Sequence, residues 1–133
     1  MKRYFIDTCV LKWLLVGDKR VKKVATDIEY YQGDFAVSIE VLKELINLLA
    51  FDKMEIKIEF SKIIEKLNSL GVEIFSFERK HLRYLNDLPS FTEHTDPTDR
   101  NIIAHAIADK RILISGDEKF HLYEPAGLKF WEV

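Results

Sequence analysis

The segment His94-Thr95-Asp96-Pro97-Thr98-Asp99-Arg100 sets an imidazole and two carboxylates at the start of an apolar helical run. Asp7 closes the run Tyr4-Phe5-Ile6, and Asp117 follows Ile112-Leu113-Ile114-Ser115-Gly116. Carboxylates at strand ends and helix starts meet along one edge of an α/β sheet. Acids gathered there without matching cations repel one another, and a hard divalent cation relieves that repulsion. A fourth acid comes from the segment Ser38-Ile39-Glu40-Val41-Leu42-Lys43-Glu44-Leu45. Glu44 stands at the boundary of an apolar helical stripe, and Glu40 lies one turn earlier on a similar azimuth, so either residue can supply it.

Each acid also has a structural explanation. Asp7 suits the N-cap of the helix that follows it, and Asp117 suits a turn after Gly116. Asp96 is a good N-cap, which puts Asp99 at the third helical position, where an acid complements the helix dipole. Capping alone does not explain why acids close several strands of one sheet. His94 reads as a polar loop residue with a possible role as ligand or base. Arg100 suits either a phosphate or a restraining pair with a nearby carboxylate, and the second is preferred. Thr8 and Ser115 offer hydroxyls to the carboxylates or to substrate. Cys9 reads as core packing, and most of Trp13, Phe91, Phe120, Tyr123 and Trp131 as core aromatics.

The elements that must position these residues alternate in type. Strands are expected at 4–6, 35–37, 72–75, 111–115 and 128–131 from their β-branched and aromatic content. Helices are expected at 8–15, around 21–31, from Ser38 to about 51, at 54–70 with Gly71 as its stop, at 78–88, and from Pro97 onward. The longest irregular stretch is 89–98. Strand–helix alternation predicts an α/β fold, one three-layer domain over 1–133 with a central, mostly parallel sheet of four to five strands flanked by helices.

Composition narrows the function. A hydrophobic content of 47% fills one core at this length. A formal net charge of −2 disfavours nucleic-acid binding by bulk positive charge, so any such contact is local or metal-assisted. The one cysteine cannot form an internal disulfide, and no run approaches the ~18 apolar residues of a membrane span. The start has no signal-peptide pattern, and a cytoplasmic location is expected.

These motifs together resemble the PIN domain family, in particular the toxin ribonucleases of VapBC-type toxin–antitoxin pairs. Phe5-Ile6-Asp7-Thr8 resembles the family's opening strand with its first acid, and Ser38 to Glu44 the helix with the second. His94-x-Asp96-Pro97-x-Asp99-Arg100 leading into Ile102-Ile103-Ala104 resembles the third segment. Ile114-Ser115-x-Asp117 resembles the closing Thr-x-Asp segment, with serine in place of threonine. The resemblance implies a PIN-like fold and a metal-dependent endoribonuclease. Asp7, Glu44, Asp99 and Asp117 would be its metal-holding catalytic acids, supported by Thr8, Ser38, Glu40, Asp96, Arg100 and Ser115. It further implies Mg²⁺ or Mn²⁺, an RNA substrate, a cognate antitoxin and homodimerisation.

Two rivals compete. A phosphatase of the haloacid-dehalogenase type wants a second acid two residues after the first, where Cys9 stands. A phosphoacceptor domain wants an aspartate after the third strand, where Phe75-Ser76-Phe77 stands. A non-catalytic RNA- or protein-binding module on the same fold is the other alternative, and its mark would be a missing acid.

Overall fold

The computed structural model describes residues 1–54 and 57–133. Its centre is a sheet of five strands in the order β3-β2-β1-β4-β5. The strands are β1 (Arg3–Ile6), β2 (Asp34–Ser38), β3 (Glu73–Phe75), β4 (Ile112–Ser115) and β5 (Lys129–Glu132). All four pairings are parallel. The helices are α1 (Thr8–Val16), α2 (Lys22–Glu29), α3 (Ile39–Ala50), α4 (Phe60–Leu70), α5 (Leu82–Asp87) and α6 (Pro97–Ala108), with 3₁₀ segments at Lys19–Val21, Arg79–His81 and, between β4 and β5, Glu118–Ala126. The fold is thus the expected α/β arrangement, with parallel pairing throughout.

Parallel strands are covered on both faces and read as continuous apolar runs. Phe5, Ile6, Leu113 and Ile114 are completely buried, as are Ala36 and Val37 of β2. Val10 and Leu11 of α1, Val41 and Leu45 of α3, and Ile102 and Ile103 of α6 close over the sheet. The chain builds β1, β2 and β3 outward in one direction, then returns to lay β4 and β5 on the other side of β1. The order therefore reverses between β1 and β4, and the crevice at that reversal is where such sheets place ligands.

Two expected helices change at their starts. The helix expected from residue 54 begins only at Phe60; residues 57–59 are non-helical, and 55–56 lie outside the described residues. The helix expected over 78–88 opens instead as a 3₁₀ turn, Arg79–His81, before α5. The cause is a reciprocal cap: the Glu78 amide donates to His81 Nδ1 at 2.7 Å, which tightens the first turn. His81 Nε2 then reaches Asp109 Oδ1 at 2.9 Å, beside the fully buried His105.

Arg111, read from sequence only as the start of a strand, is buried at the opposite end of the sheet. Its guanidinium donates to the carbonyl oxygens of Tyr4 and Asp34 and to Asp34 Oδ2, at 3.1–3.3 Å. It also lies 4.8 Å from the Phe75 ring centroid. Arg111→Met keeps the apolar stem and removes these donors from two strand carbonyls and the Asp34 carboxylate. The expected cost is about 2–3 kcal/mol, read as a lower urea midpoint with an unchanged slope.

Candidate metal centre at the sheet's switch point

Asp7 follows β1 directly, and its backbone N–H extends the ladder to Ile114 O at 3.0 Å. It occupies the N-cap position of α1, but its side chain makes no cap bond. Capping therefore does not account for this carboxylate. Ser115 at the end of β4 donates its hydroxyl to Asp7 Oδ2 at 2.6 Å, and the Asp117 amide donates to Ser115 Oγ at 3.1 Å. One serine hydroxyl thus ties the ends of two neighbouring strands together. Cys9 joins the same knot: its thiol lies 3.6 Å from Asp7 Oδ2, and its sulfur accepts the Gly116 amide at 3.4 Å. Burial pushes the thiol up to about 11, so it acts here as a neutral donor and not as a nucleophile. Gly116 is required by close approach, because a Cβ there would sit 2.5 Å from the Trp13 ring.

Asp7 is buried, and its Oδ1 has no hydrogen-bond partner among the described residues. An orphaned, buried carboxylate oxygen is costly unless something positive meets it. Burial raises the Asp7 carboxyl above its ordinary range, although the Ser115 and Cys9 bonds pull the other way.

The amino end of α6 brings the next acids. Asp96 caps it by accepting the Asp99 amide at 2.9 Å, and Pro97 fills the first helical position. Asp99 then points at His94, with Oδ2 3.1 Å from Nε2. Burial, joined by the charges of Asp7, Asp96, Glu44 and Asp117, pushes the Asp99 carboxyl up to about 8. Three side chains, His94, Asp99 and Asp117, each offer a ligand atom, and these atoms lie within 4.8 Å of one another.

Helix α3 supplies Glu44. Burial, then the charges of Asp7 and Asp96, raise its carboxyl. The buried Thr8 hydroxyl lies toward Glu44 without closing a hydrogen bond. Glu40 is engaged elsewhere, accepting from Asn101 Nδ2 at 2.9 Å and pairing with Lys43 at 2.8 Å. Glu44 is thus the glutamate that feels the charges of Asp7 and Asp96, while Glu40 clamps α3 to α6 through Asn101. Ser38 serves α3 as its cap, accepting the Glu40 amide at 3.2 Å, and meets His105 Nδ1 at 2.8 Å.

Arg100 departs from expectation. It gives its hydrogen bonds to Pro89 O at 2.8 Å and Tyr123 OH at 3.3 Å, and so fastens the 89–98 loop in place of pairing with a carboxylate. His94, offered by the sequence as a ligand or base but read foremost as a polar loop residue, is buried, and Tyr123 stands outside the expected site. Their rings meet through His94 Nδ1 and Tyr123 OH at 2.7 Å, 29 positions apart in sequence. Only the His94-x-Asp96 spacing hinted at the first, and nothing local marked the second.

This donor set fits a hard divalent cation. It is rich in carboxylate oxygen, carries excess negative charge, and holds an unpartnered buried oxygen. His94, Asp99 and Asp117 lie closest together, and the charges of Asp7 and Glu44 act on Asp99 from beside them.

The comparisons agree with the architecture. The family model of the PIN domain matches residues 4–124. No curated protein matches the sequence. Among solved structures, VapBC2 from Rickettsia felis bound to a promoter DNA fragment is similar over 97% of both chains, with TM-score 0.76 and 21% identity. A toxin–antitoxin complex from Klebsiella pneumoniae is similar over 98% of this chain and 99% of that one, with TM-score 0.69 and 18% identity. A DNA-bound VapBC from Salmonella typhimurium gives TM-score 0.70 at 14% identity, over 99% and 98% of the two chains. With a family model spanning most of its length and an acid-lined switch point in a five-stranded parallel sheet, the chain belongs to the PIN domain family.

Proposed function

We propose that this chain, folded as one domain over 1–133, is a divalent-metal-dependent endoribonuclease and the toxin of a two-protein toxin–antitoxin pair. The observation that carries the reading is the gathering of carboxylates at the switch point: buried Asp7 with its unpartnered Oδ1, and Asp99 beside Asp117 and His94, with Glu44 near them. Mg²⁺ or Mn²⁺, when bound there, supplies the charge that activates water and offsets the negative charge growing on a leaving oxygen. The protein's own residues do the rest. Asp7, Asp99 and Asp117 hold the ion, and Glu44 does so directly or through water. Ser115 and Cys9 fix the Asp7 carboxylate, and Asp96 holds the turn that presents Asp99. Water attacks the phosphorus, the bond to the 3′ oxygen breaks, and the products carry a 5′-phosphate and a 3′-hydroxyl. No side chain forms a covalent intermediate.

A cleft runs from Glu44 along α3 and is lined by Lys43, Asn47, Phe51, Lys53, Thr98 and Asn101. Phe51 is 71% exposed, an open aromatic face on which a base can stack, and the lysines suit phosphates. These features supply the local nucleic-acid contact that a net charge of −2 leaves to be found. The similar structures that are toxin–antitoxin complexes support an antitoxin partner whose segment covers the acids. Exposed Ile46 on α3 and Phe51 just past its end support self-association. No described helix is long and apolar enough to cross a membrane, in keeping with the cytoplasmic location proposed here.

The test is incubation of the purified chain with total RNA in Mg²⁺ or Mn²⁺, against EDTA, with both fragment ends mapped. The expected result is discrete fragments bearing 5′-phosphate, formed only with the ion. Undiminished cleavage in EDTA overturns the mechanism.

A further inference from the structure

His94 is buried, lies on the loop before α6, and turns Nε2 toward the carboxylates of Asp99 and Asp117. Its other ring nitrogen, Nδ1, is 2.7 Å from Tyr123 OH. That hydroxyl also accepts from Arg100 Nη1 at 3.3 Å and has a second acceptor in the His94 carbonyl oxygen at 3.5 Å. A phenol carries one proton, so two arrangements are open. With the phenol O–H donating to Nδ1, Nε2 carries hydrogen and donates to Asp99. With the phenol proton directed to the His94 carbonyl, Nδ1–H donates to Tyr123, and Nε2 presents a lone pair to the acids. Both keep the ring neutral. The group standing at Nε2 selects between them: an anion takes the hydrogen, a cation takes the lone pair. A histidine whose far nitrogen is held by an oriented polar partner is the arrangement that metal-ligating imidazoles require.

In the second His–Asp cluster, His81, His105 and Asp109, the His81 ring lacks this freedom. There His81 Nδ1 accepts the Glu78 amide, which leaves hydrogen on Nε2, the atom facing Asp109. The same test that admits His94 as a ligand excludes His81.

We propose that His94 is a ligand of the divalent ion through Nε2, with Tyr123 and Arg100 as positioning residues that set its tautomer, so that the centre prefers Mn²⁺ to Mg²⁺. The inference rests on the metal reading given above. Imidazole nitrogen suits transition ions, whereas Mg²⁺ keeps oxygen ligands and its waters. One nitrogen among carboxylates therefore tilts an otherwise oxygen-only site.

The experiment is pulsed electron paramagnetic resonance of Mn²⁺ bound to the full chain, joined to calorimetric titration with Mn²⁺ and Mg²⁺. Wild type is expected to show nitrogen modulation from one imidazole that changes on ¹⁵N-histidine labelling. In His94→Gln the modulation disappears and Mn²⁺ binding weakens by about tenfold or more, while Mg²⁺ binding is unchanged. Tyr123→Phe keeps the ring packing and removes the partner of Nδ1; it retains the nitrogen signal with weakened Mn²⁺ binding. Mn²⁺ bound without nitrogen modulation, or an unchanged Mn²⁺ to Mg²⁺ preference in His94→Gln, overturns this inference and leaves the acid site standing. Failure of wild type to bind Mn²⁺ overturns both.

Discussion

Replacing Asp99 with asparagine is expected to abolish metal-dependent RNA cleavage, by at least ~10³-fold, with the fold intact. The side chain keeps its size, and its amide oxygen can still accept from His94, 3.1 Å away. Its backbone bond to the Asp96 carboxylate is untouched. What disappears is one negative charge at the centre of the cluster. A bound ion contributes several kcal/mol of transition-state stabilisation, and ~4 kcal/mol corresponds to about three decades of rate. Asp96→Asn is the informative control, because asparagine caps a helix as well as aspartate does and should leave most of the activity. Single-turnover cleavage of a defined RNA compares the two. Wild-type rates in Asp99→Asn would show that the carboxylate is a structural acid only.

The same substitution is expected to stabilise the metal-free protein. Asp99 has an ordinary value of 3.8 and is pushed up to about 8 in the fold, burial being the main cause. The folded state therefore holds a proton that the unfolded chain releases. Stability is highest below about pH 4, falls as pH rises through that window, and is fully reduced above about 8. The side chain is 23% exposed, so the full shift overstates the cost, and on the order of 2 kcal/mol at pH 7 is a reasonable expectation. For a chain of this length that is roughly 5–10 °C in Tm. Asp99→Asn should melt higher than wild type at pH 7–8 in EDTA and equally near pH 4. Saturating Mg²⁺ or Mn²⁺ should stabilise the wild type, by about 2.7 kcal/mol at a hundredfold excess over Kd, and so raise its Tm, and move the variant far less. His105, whose burial beside His81 holds it down to about 4, works in the opposite sense. Its contribution is lost as pH falls from 6.5 to 4, and it cancels in the comparison of the two proteins. A variant that melts lower than wild type in EDTA at pH 8 contradicts the frustrated-acid account.

Much of this was legible in the residues alone. Short aromatic and β-branched runs marked all five strands, because a fully buried parallel strand has little else in it. Pro97 after Asp96 marked the start of α6, because fixed φ and a side-chain acceptor are local properties. The strand-ending positions of Asp7 and Asp117 pointed to one edge before any topology was known. Much of what escaped depends on partners far off in the chain. Asp7 suits an N-cap by position, yet its carboxylate turns to Ser115, 108 positions away, and nothing local says which acid the Ser115 hydroxyl meets. Arg100 read as a partner for acids, yet Pro89 O and Tyr123 OH take its donors. The 3₁₀ start at Arg79–His81 is set by one ring nitrogen accepting a backbone amide, which helical periodicity does not register. Tyr123 looked like core and is core; that its hydroxyl touches a site histidine is a tertiary fact.

The most direct test of the central claim is the position of a bound ion. Crystals of the metal-free protein soaked in Mn²⁺ and measured near the manganese absorption edge should show an anomalous peak among the Asp7, Asp99 and Asp117 carboxylates, with metal–oxygen distances of about 2.1 Å. An anomalous map without a peak there, at millimolar Mn²⁺ and with the carboxylates ordered, would contradict the account.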